Sequence, residues 1–271
     1  FPFELKLLGV KKVYSPLNFS PIIAKFLNIK TILCIHSNLA WVYFSLMPNN
    51  ILRNFILKKF MEFSIKSCHL LVVDSYFAKE EIVKLLHLYK KKIEVVYLGI
   101  NNTFFSKERE KKLIQGFDYS DKYILSVLSC ARHHNIINLL KAYKILIKEL
   151  DFDLKIVFVF QILDKNYFSE IKKYIKANFT TNKVFIFPNL DSNLLPDLYK
   201  NSELYVFTSY CEVFGLTSLE AMSQEIPVVI SNRSALPEIN GDAALYFDPD
   251  DIDEIKDSLK KVLIDKQLKK N

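Results

Sequence analysis

Along the chain, short runs rich in β-branched and aromatic residues alternate with longer stretches in which apolar positions recur every three or four residues. That alternation predicts βαβ units, a parallel sheet covered by helices, and hence an α/β fold. In the first part, strands are predicted over 31–35, 70–73 and 93–97. A helix over 50–67 carries Ile51, Leu52, Phe55, Ile56 and Phe60, close to the spacing of one buried face. A second helix, over 76–88, follows the N-cap residue Ser75 and sets Glu80 and Glu81 near the positive end of its dipole.

Over 101–121 the pattern weakens and charges crowd in. Gly116 and Asp118 offer turn chemistry there, which places a domain boundary between 118 and 119. A second alternating series comes after it, with strands predicted over 123–128, 154–160, 183–187, 204–208, 226–230 and 243–247 and an amphipathic helix over 250–268. The expectation is two Rossmann-like domains, 1–118 and 119–271, facing across a cleft, with ligands outside the carboxyl ends of the strands.

Composition narrows this picture. With 50% hydrophobic and 25% charged residues, 271 residues suffice for two domains with separate cores. The apolar stretches are of strand length, well short of the roughly 20 residues of a membrane-spanning helix. The opening Phe1-Pro2-Phe3-Glu4 lacks the basic start of a secretory signal, so the expected location is cytoplasmic. Cys34, Cys68, Cys130 and Cys211 lie far apart, which argues against a zinc ribbon or a disulfide framework. A net charge of +7 suits an anionic ligand and a peripheral contact with the inner membrane face. No aromatic-basic RNA motif accompanies runs such as Lys90-Lys91-Lys92, so nucleic acid is not an expected partner. Asp151-Phe152-Asp153 has the look of a metal-binding pair, but it falls where a helix ends and a strand begins and reads as a loop.

The most informative stretch is Tyr210-Cys211-Glu212-Val213-Phe214-Gly215-Leu216-Thr217-Ser218-Leu219-Glu220-Ala221-Met222. A strand gives way to a loop carrying Glu212 and Gly215, and then to a helix. The first helical turn beside a glycine presents backbone N–H groups to an anion. Glu212 before the helix and Glu220 within it supply carboxylates that accept hydrogen bonds from the hydroxyls of a sugar or ribose.

The Glu-x7-Glu pattern of Glu212 and Glu220 resembles the motif of retaining GT-B glycosyltransferases, and the chain downstream of Glu220 resembles family 4. The segments that carry this likeness are Ile226-Pro227-Val228-Val229-Ile230-Ser231, Ser234-Ala235-Leu236-Pro237-Glu238-Ile239, Gly241-Asp242-Ala243-Ala244 and Phe247-Asp248-Pro249. The resemblance implies a GT-B fold, with the first domain incomplete and the chain short at its N-terminus and at its far end. It also implies an enzyme that transfers a hexose-type sugar from a nucleotide-diphosphate donor to a glycan, lipid-linked or small-molecule acceptor. No cofactor and no metal are expected. An alternative is a noncatalytic GT-B module that binds nucleotide sugar or glycan, or serves as a partner subunit.

By that resemblance Glu212 contacts the hydroxyls of the donor sugar, the backbone of Val213, Phe214, Gly215 and Leu216 lies against sugar and phosphates, and Glu220 holds the ribose. Ser129-Cys130-Ala131-Arg132-His133-His134-Asn135 resembles the first loop of the nucleotide domain, which makes Arg132, His133 and His134 candidate phosphate contacts. Ile32-Leu33-Cys34-Ile35-His36-Ser37 resembles a strand that ends in a catalytic histidine, here His36. Val73-Asp74-Ser75 reads as a fold marker. Leu128, Asn189 and Glu225 stand where the family has glycine, and a side chain there opposes unusual backbone angles or close ligand approach.

Overall fold

A computed structural model describes residues 2–37, 51–89, 92–105, 114 and 116–265. Asn50, Lys90, Lys91 and 266–268, each part of an element or run expected from the sequence, lie outside the described residues. Backbone contacts divide the chain into two compact units, Phe1–Leu98 with Cys211–Phe214 and Gly99–Tyr210 with Gly215–Asn271.

Unit 1 carries a parallel sheet of β1 (Lys12–Ser15), β2 (Lys30–Ile35), β3 (Leu70–Val73) and β4 (Ile93–Val95), in that order. The sequence pattern did not announce β1, whose four residues expose the large apolar Tyr14. The described helices of this unit are α1 (Pro2–Leu7), α2 (Ile51–Ser67) and α3 (Tyr76–Leu86). The Ser75 hydroxyl accepts a hydrogen bond from the Ala78 amide at 3.0 Å and caps α3, satisfying a donor the helix leaves unpaired. The core gathers Leu33 and Ile35 of β2, Leu71 and Val73 of β3, Met61 and Ile65 of α2, and Ala78, Ile82 and Leu86 of α3, together with Val213. The expected buried face of α2 is corrected here: Ile51, Leu52, Phe55, Ile56 and Phe60 are exposed. Asn54, Met61, Ser64 and Ile65 turn inward instead, and the buried Ser64 hydroxyl donates to the Ser20 carbonyl at 3.2 Å.

Unit 2 is built on β5 (Tyr123–Cys130), β6 (Lys155–Ile162), β7 (Val184–Pro188), β8 (Leu204–Phe207), β9 (Val228–Ser231) and β10 (Leu245–Phe247). Every pairing is parallel, and the sheet runs β10-β9-β8-β5-β6-β7. The chain builds outward from β5 through β6 and β7, then returns to the other side of β5 with β8. A topological switch point therefore lies between β5 and β8. β8 is apolar throughout, and β5 is apolar apart from Ser126 and Ser129, because helices cover both faces, as parallel sheets require. Those helices are α4 (Ile136–Glu149), α5 (Lys165–Asn178), α6 (Leu195–Lys200), α7 (Leu216–Ser223), α8 (Leu236–Asn240) and α9 (Ile252–Ile264). Asp164 and Asp251 cap α5 and α9 by accepting amide hydrogen bonds in their first turns.

The boundary between units lies at Leu98 rather than at 118. Phe104, Ile114 and Phe117, set among the charges that read as a linker, are buried in the core of unit 2. Phe117 alone meets the rings of Tyr119, Tyr123, Phe185 and Phe187 edge-on.

Candidate functional site

At the switch point, the loop after β5 is joined to the segment after β8 through backbone carbonyls. The Tyr210 amide donates to the His133 carbonyl at 2.8 Å, and the Thr208 hydroxyl donates to the His134 carbonyl at 2.8 Å. Arg132–His134 forms a single 3-10 turn that ends at Asn135 in the left-handed region, with φ 55°. Asn135 is fixed there by donating its side-chain amide to the Pro249 carbonyl at 2.7 Å.

The two histidines of this turn face inward. His133 and His134 are buried, with ring centroids 4.0 Å apart, and His134 Nε2 lies 2.8 Å from the Ser129 hydroxyl. Burial lowers the His133 pKa to about 4 and, with the neighbouring His133, pushes His134 well below its ordinary value. Both rings are therefore neutral near pH 7, and the positive charge expected of them toward a diphosphate requires proton uptake. Arg132 is engaged elsewhere: its guanidinium grips Glu170 at 2.5 and 3.1 Å, lies 3.6 Å from Asp164, and stacks over the Tyr167 ring.

The segment after β8 supplies the helix start. Gly215 caps α7 with φ 89° and ψ 48°, a left-handed conformation that favours glycine. A Cβ at this position would fall 2.5 Å from Leu236 Cδ2, so the glycine also makes room for α8. The Ser218 hydroxyl and amide both donate to the Gly215 carbonyl, at 2.7 and 3.1 Å, which tightens the first turn. Leu216 opens the helix and is half-buried.

Glu220 sits one turn further on. Burial raises its carboxyl pKa to about 7, partly countered by the Tyr199 hydroxyl, which donates to its Oε2 at 3.1 Å. That hydroxyl also lies 3.2 Å from the Thr217 carbonyl, while the Tyr205 hydroxyl meets Thr217 Oγ1 at 2.7 Å. Two tyrosines thus fix one face of α7. Tyr199 is the partner that sequence reasoning missed; it belongs to the six-residue helix α6, too short to show a periodicity.

Glu212, Val213 and Phe214 group with unit 1. Glu212 is half-buried, Val213 enters the core of that unit, and Phe214 meets the Tyr97 ring edge-on with centroids 5.7 Å apart. His36 also belongs to unit 1, one residue beyond β2. Its Nδ1 lies 2.8 Å from Asp74 Oδ2, and its amide donates to Asn18 Oδ1 at 2.8 Å. Asp74 is buried, and desolvation raises its pKa against the lowering effect of His36. Sequence reading took Asp74 as a fold marker and so missed this dyad, although the signal was present. Ile35 and Val73 are register partners, so the next residues on two adjacent parallel strands meet.

The replaced glycines resolve into two kinds. Asn189 and Glu225 do adopt left-handed angles, φ 54° and 60°, whereas Leu128 is a buried residue within β5. Asp153 pairs with Lys183 in the loop before β6, at the end of the sheet opposite the switch point.

The family described as Glycosyl transferases group 1 matches residues 107–271. The chain is similar to the O-antigen chain mannosyltransferase RfbU of Salmonella typhimurium, 25% identical over 215 residues that cover 79% of this chain and 57% of that protein. It is also similar to the O-antigen chain mannosyltransferase B of Escherichia coli, 28% identical over 73% of this chain and 52% of that protein. The chain thus spans about half the length of these relatives. Among solved structures, sucrose-phosphate synthase from Thermosynechococcus elongatus matches with a TM-score of 0.77 at 15% identity, over 99% of this chain and 68% of that one. A glycosyltransferase from Rickettsia africae matches with a TM-score of 0.73 at 20% identity, over 99% and 71%. These likenesses show the GT-B fold.

Proposed function

The chain belongs to the glycosyl transferases group 1 family, and from that premise we propose that it moves a hexose-type sugar from a nucleotide-diphosphate donor to a glycan, lipid-linked or small-molecule acceptor, with retention of anomeric configuration. The observation that carries the reading is the start of α7: Gly215 holds a left-handed cap beside the switch point, and Glu220 stands on the same short helix with Tyr199 bonded to it. Switch points of parallel sheets are where nucleotides bind, and a helix start offers amide donors to their phosphates.

In this proposal Glu220 accepts hydrogen bonds from the ribose and the first amides of α7 meet the diphosphate. Glu212 holds the hydroxyls of the transferred sugar. Bond cleavage leaves negative charge on the diphosphate, and donors already aimed at that position stabilise it without reorganising. The departing phosphate takes the acceptor's proton on the face from which it leaves, so the configuration is kept. His36, oriented by Asp74, is assigned to the transferred sugar. No metal has a part in this scheme.

Mannose is the first sugar to try, because RfbU and mannosyltransferase B are both O-antigen chain mannosyltransferases. Donor hydrolysis and transfer are to be followed with nucleotide-linked mannose, glucose and galactose. Turnover that drops about tenfold or more in Glu212→Ala, with donor affinity retained, is the expected result, since a hydrogen bond to a charged group is worth roughly 1.5–3 kcal/mol. Nucleotide binding without hydrolysis or transfer of any donor would assign the chain to binding alone.

A further inference from the structure

In an ordinary surface helix, the apolar stripe faces the core and the charges face water. Helix α2 reverses this. Its inward side presents Asn54 and Ser64 beside Met61 and Ile65, while Leu52, Ile56 and Phe63 point outward, flanked by the exposed Phe55 and Phe60. At 100° per residue, Lys59 and Lys66 fall among these outward apolar residues rather than opposite them. The helix holds four basic residues, Arg53, Lys58, Lys59 and Lys66, against the single acid Glu62. The apolar exposure continues beyond it. The 3-10 turn Ile22–Leu27 touches both α1 and α2 and exposes Phe26, and Leu7 at the end of α1 and Leu8 just after it are exposed.

We infer that this face of unit 1 is a docking surface for an anionic lipid bilayer, with α2 lying in the plane of the interface. Three occupants could cover such a face, and the lysines choose among them. A second copy of the chain, or a further segment of it, would bury Lys66 and the Lys59–Glu62 ion pair, 2.9 Å across, in an apolar contact at a desolvation cost. A bilayer takes the leucine, isoleucine and phenylalanine side chains into its acyl boundary while the long lysine stems carry their charges back to the phosphate headgroups. No described helix is long and apolar enough to cross a membrane, so the surface is one for lying on the bilayer. This inference does not rest on the donor site.

Flotation with vesicles of phosphatidylcholine alone, and with about a third phosphatidylglycerol, tests it at low and at physiological salt. The chain is expected to float with the anionic vesicles, more weakly as salt rises and far less with the zwitterionic ones. Ile56→Asp/Phe63→Asp should cut binding at least about tenfold, with an unchanged melting temperature because both positions are exposed. Lys59→Glu/Lys66→Glu should remove the preference for anionic lipid. Failure of the chain to float at low salt, or flotation unaltered by either double substitution, overturns the inference. A polarity-sensitive dye on Leu52→Cys separates the occupants, since the four native cysteines are buried. Emission that shifts blue only when anionic vesicles are added supports the bilayer. Emission already blue without vesicles overturns it, marking a second copy if it depends on protein concentration and the chain's own residues if it does not.

Discussion

The two segments that flank the switch point of unit 2 draw titratable groups of opposite kinds out of water. After β5 these are the buried bases His133 and His134, and after β8 the half-buried acid Glu220. In both, desolvation favours the neutral form near pH 7. The difference lies in how each is held. The histidine turn is fastened through its backbone carbonyls and turns its rings inward, whereas Glu220 keeps a side-chain partner in Tyr199 on a helix whose start depends on Gly215. The lesson is that Glu220 is held through its side chain, while the two histidines of the β5 side carry charge only after taking up a proton.

The comparison breaks most severely at Gly215. Gly215→Ala combines left-handed strain with overlap at Leu236, and a loss of about 2–4 kcal/mol in unfolding free energy is expected. Denaturant titration checks the value, and Leu236→Ala in the same chain should make the combined loss less than additive, because it removes the overlap and leaves the strain.

Next in size is the pH dependence, which distinguishes the two sides by sign. His133 has a folded pKa of about 4, below its ordinary 6.5, so the unfolded chain binds more protons between those values and stability falls as pH drops through that window. Glu220 has a folded pKa of about 7, above its ordinary 4.5, so the folded chain binds more protons there and stability falls as pH rises from about 5 to about 8. Each slope amounts to roughly 1–3 kcal/mol. Melting curves from pH 4 to pH 8 should show Glu220→Gln flattening the alkaline side and His133→Asn flattening the acid side. Exchange of those two effects would reverse the assignment of buried charge.

The smallest effect is expected at Glu225, in the turn after α7. Its φ of 60° costs a side chain about 1 kcal/mol that glycine does not bear, so Glu225→Gly should raise stability by up to about 1 kcal/mol, less the entropy that glycine adds to the unfolded chain. An unchanged or lower melting temperature would show that the Glu225 side chain has a compensating contact.

Most of the sheet was legible because parallel strands buried on both faces leave largely apolar runs, as at β5, β6 and β8. What escaped did so for physical reasons. The apolar spacing of α2 gives a helix and a stripe, but a period cannot say which side the rest of the molecule covers, and here the stripe faces out. A charged segment around 101–121 looked like a linker because Phe104, Ile114 and Phe117 are too sparse to form a run, yet they seal the core of unit 2. At the site, the loop glycine, Glu220 and the histidine pair were readable as residues. Their protonation states were not, since those depend on burial that only tertiary structure supplies.

The central claim is that the start of α7 and Glu220 hold a nucleoside diphosphate. Titration calorimetry of the chain with uridine, guanosine and adenosine diphosphates at pH 7, beside Glu220→Ala, measures it directly. Saturable binding of at least one nucleotide, weakened about ten- to a hundredfold by the substitution, is the predicted result. Binding of none, or equal binding by Glu220→Ala, would contradict it.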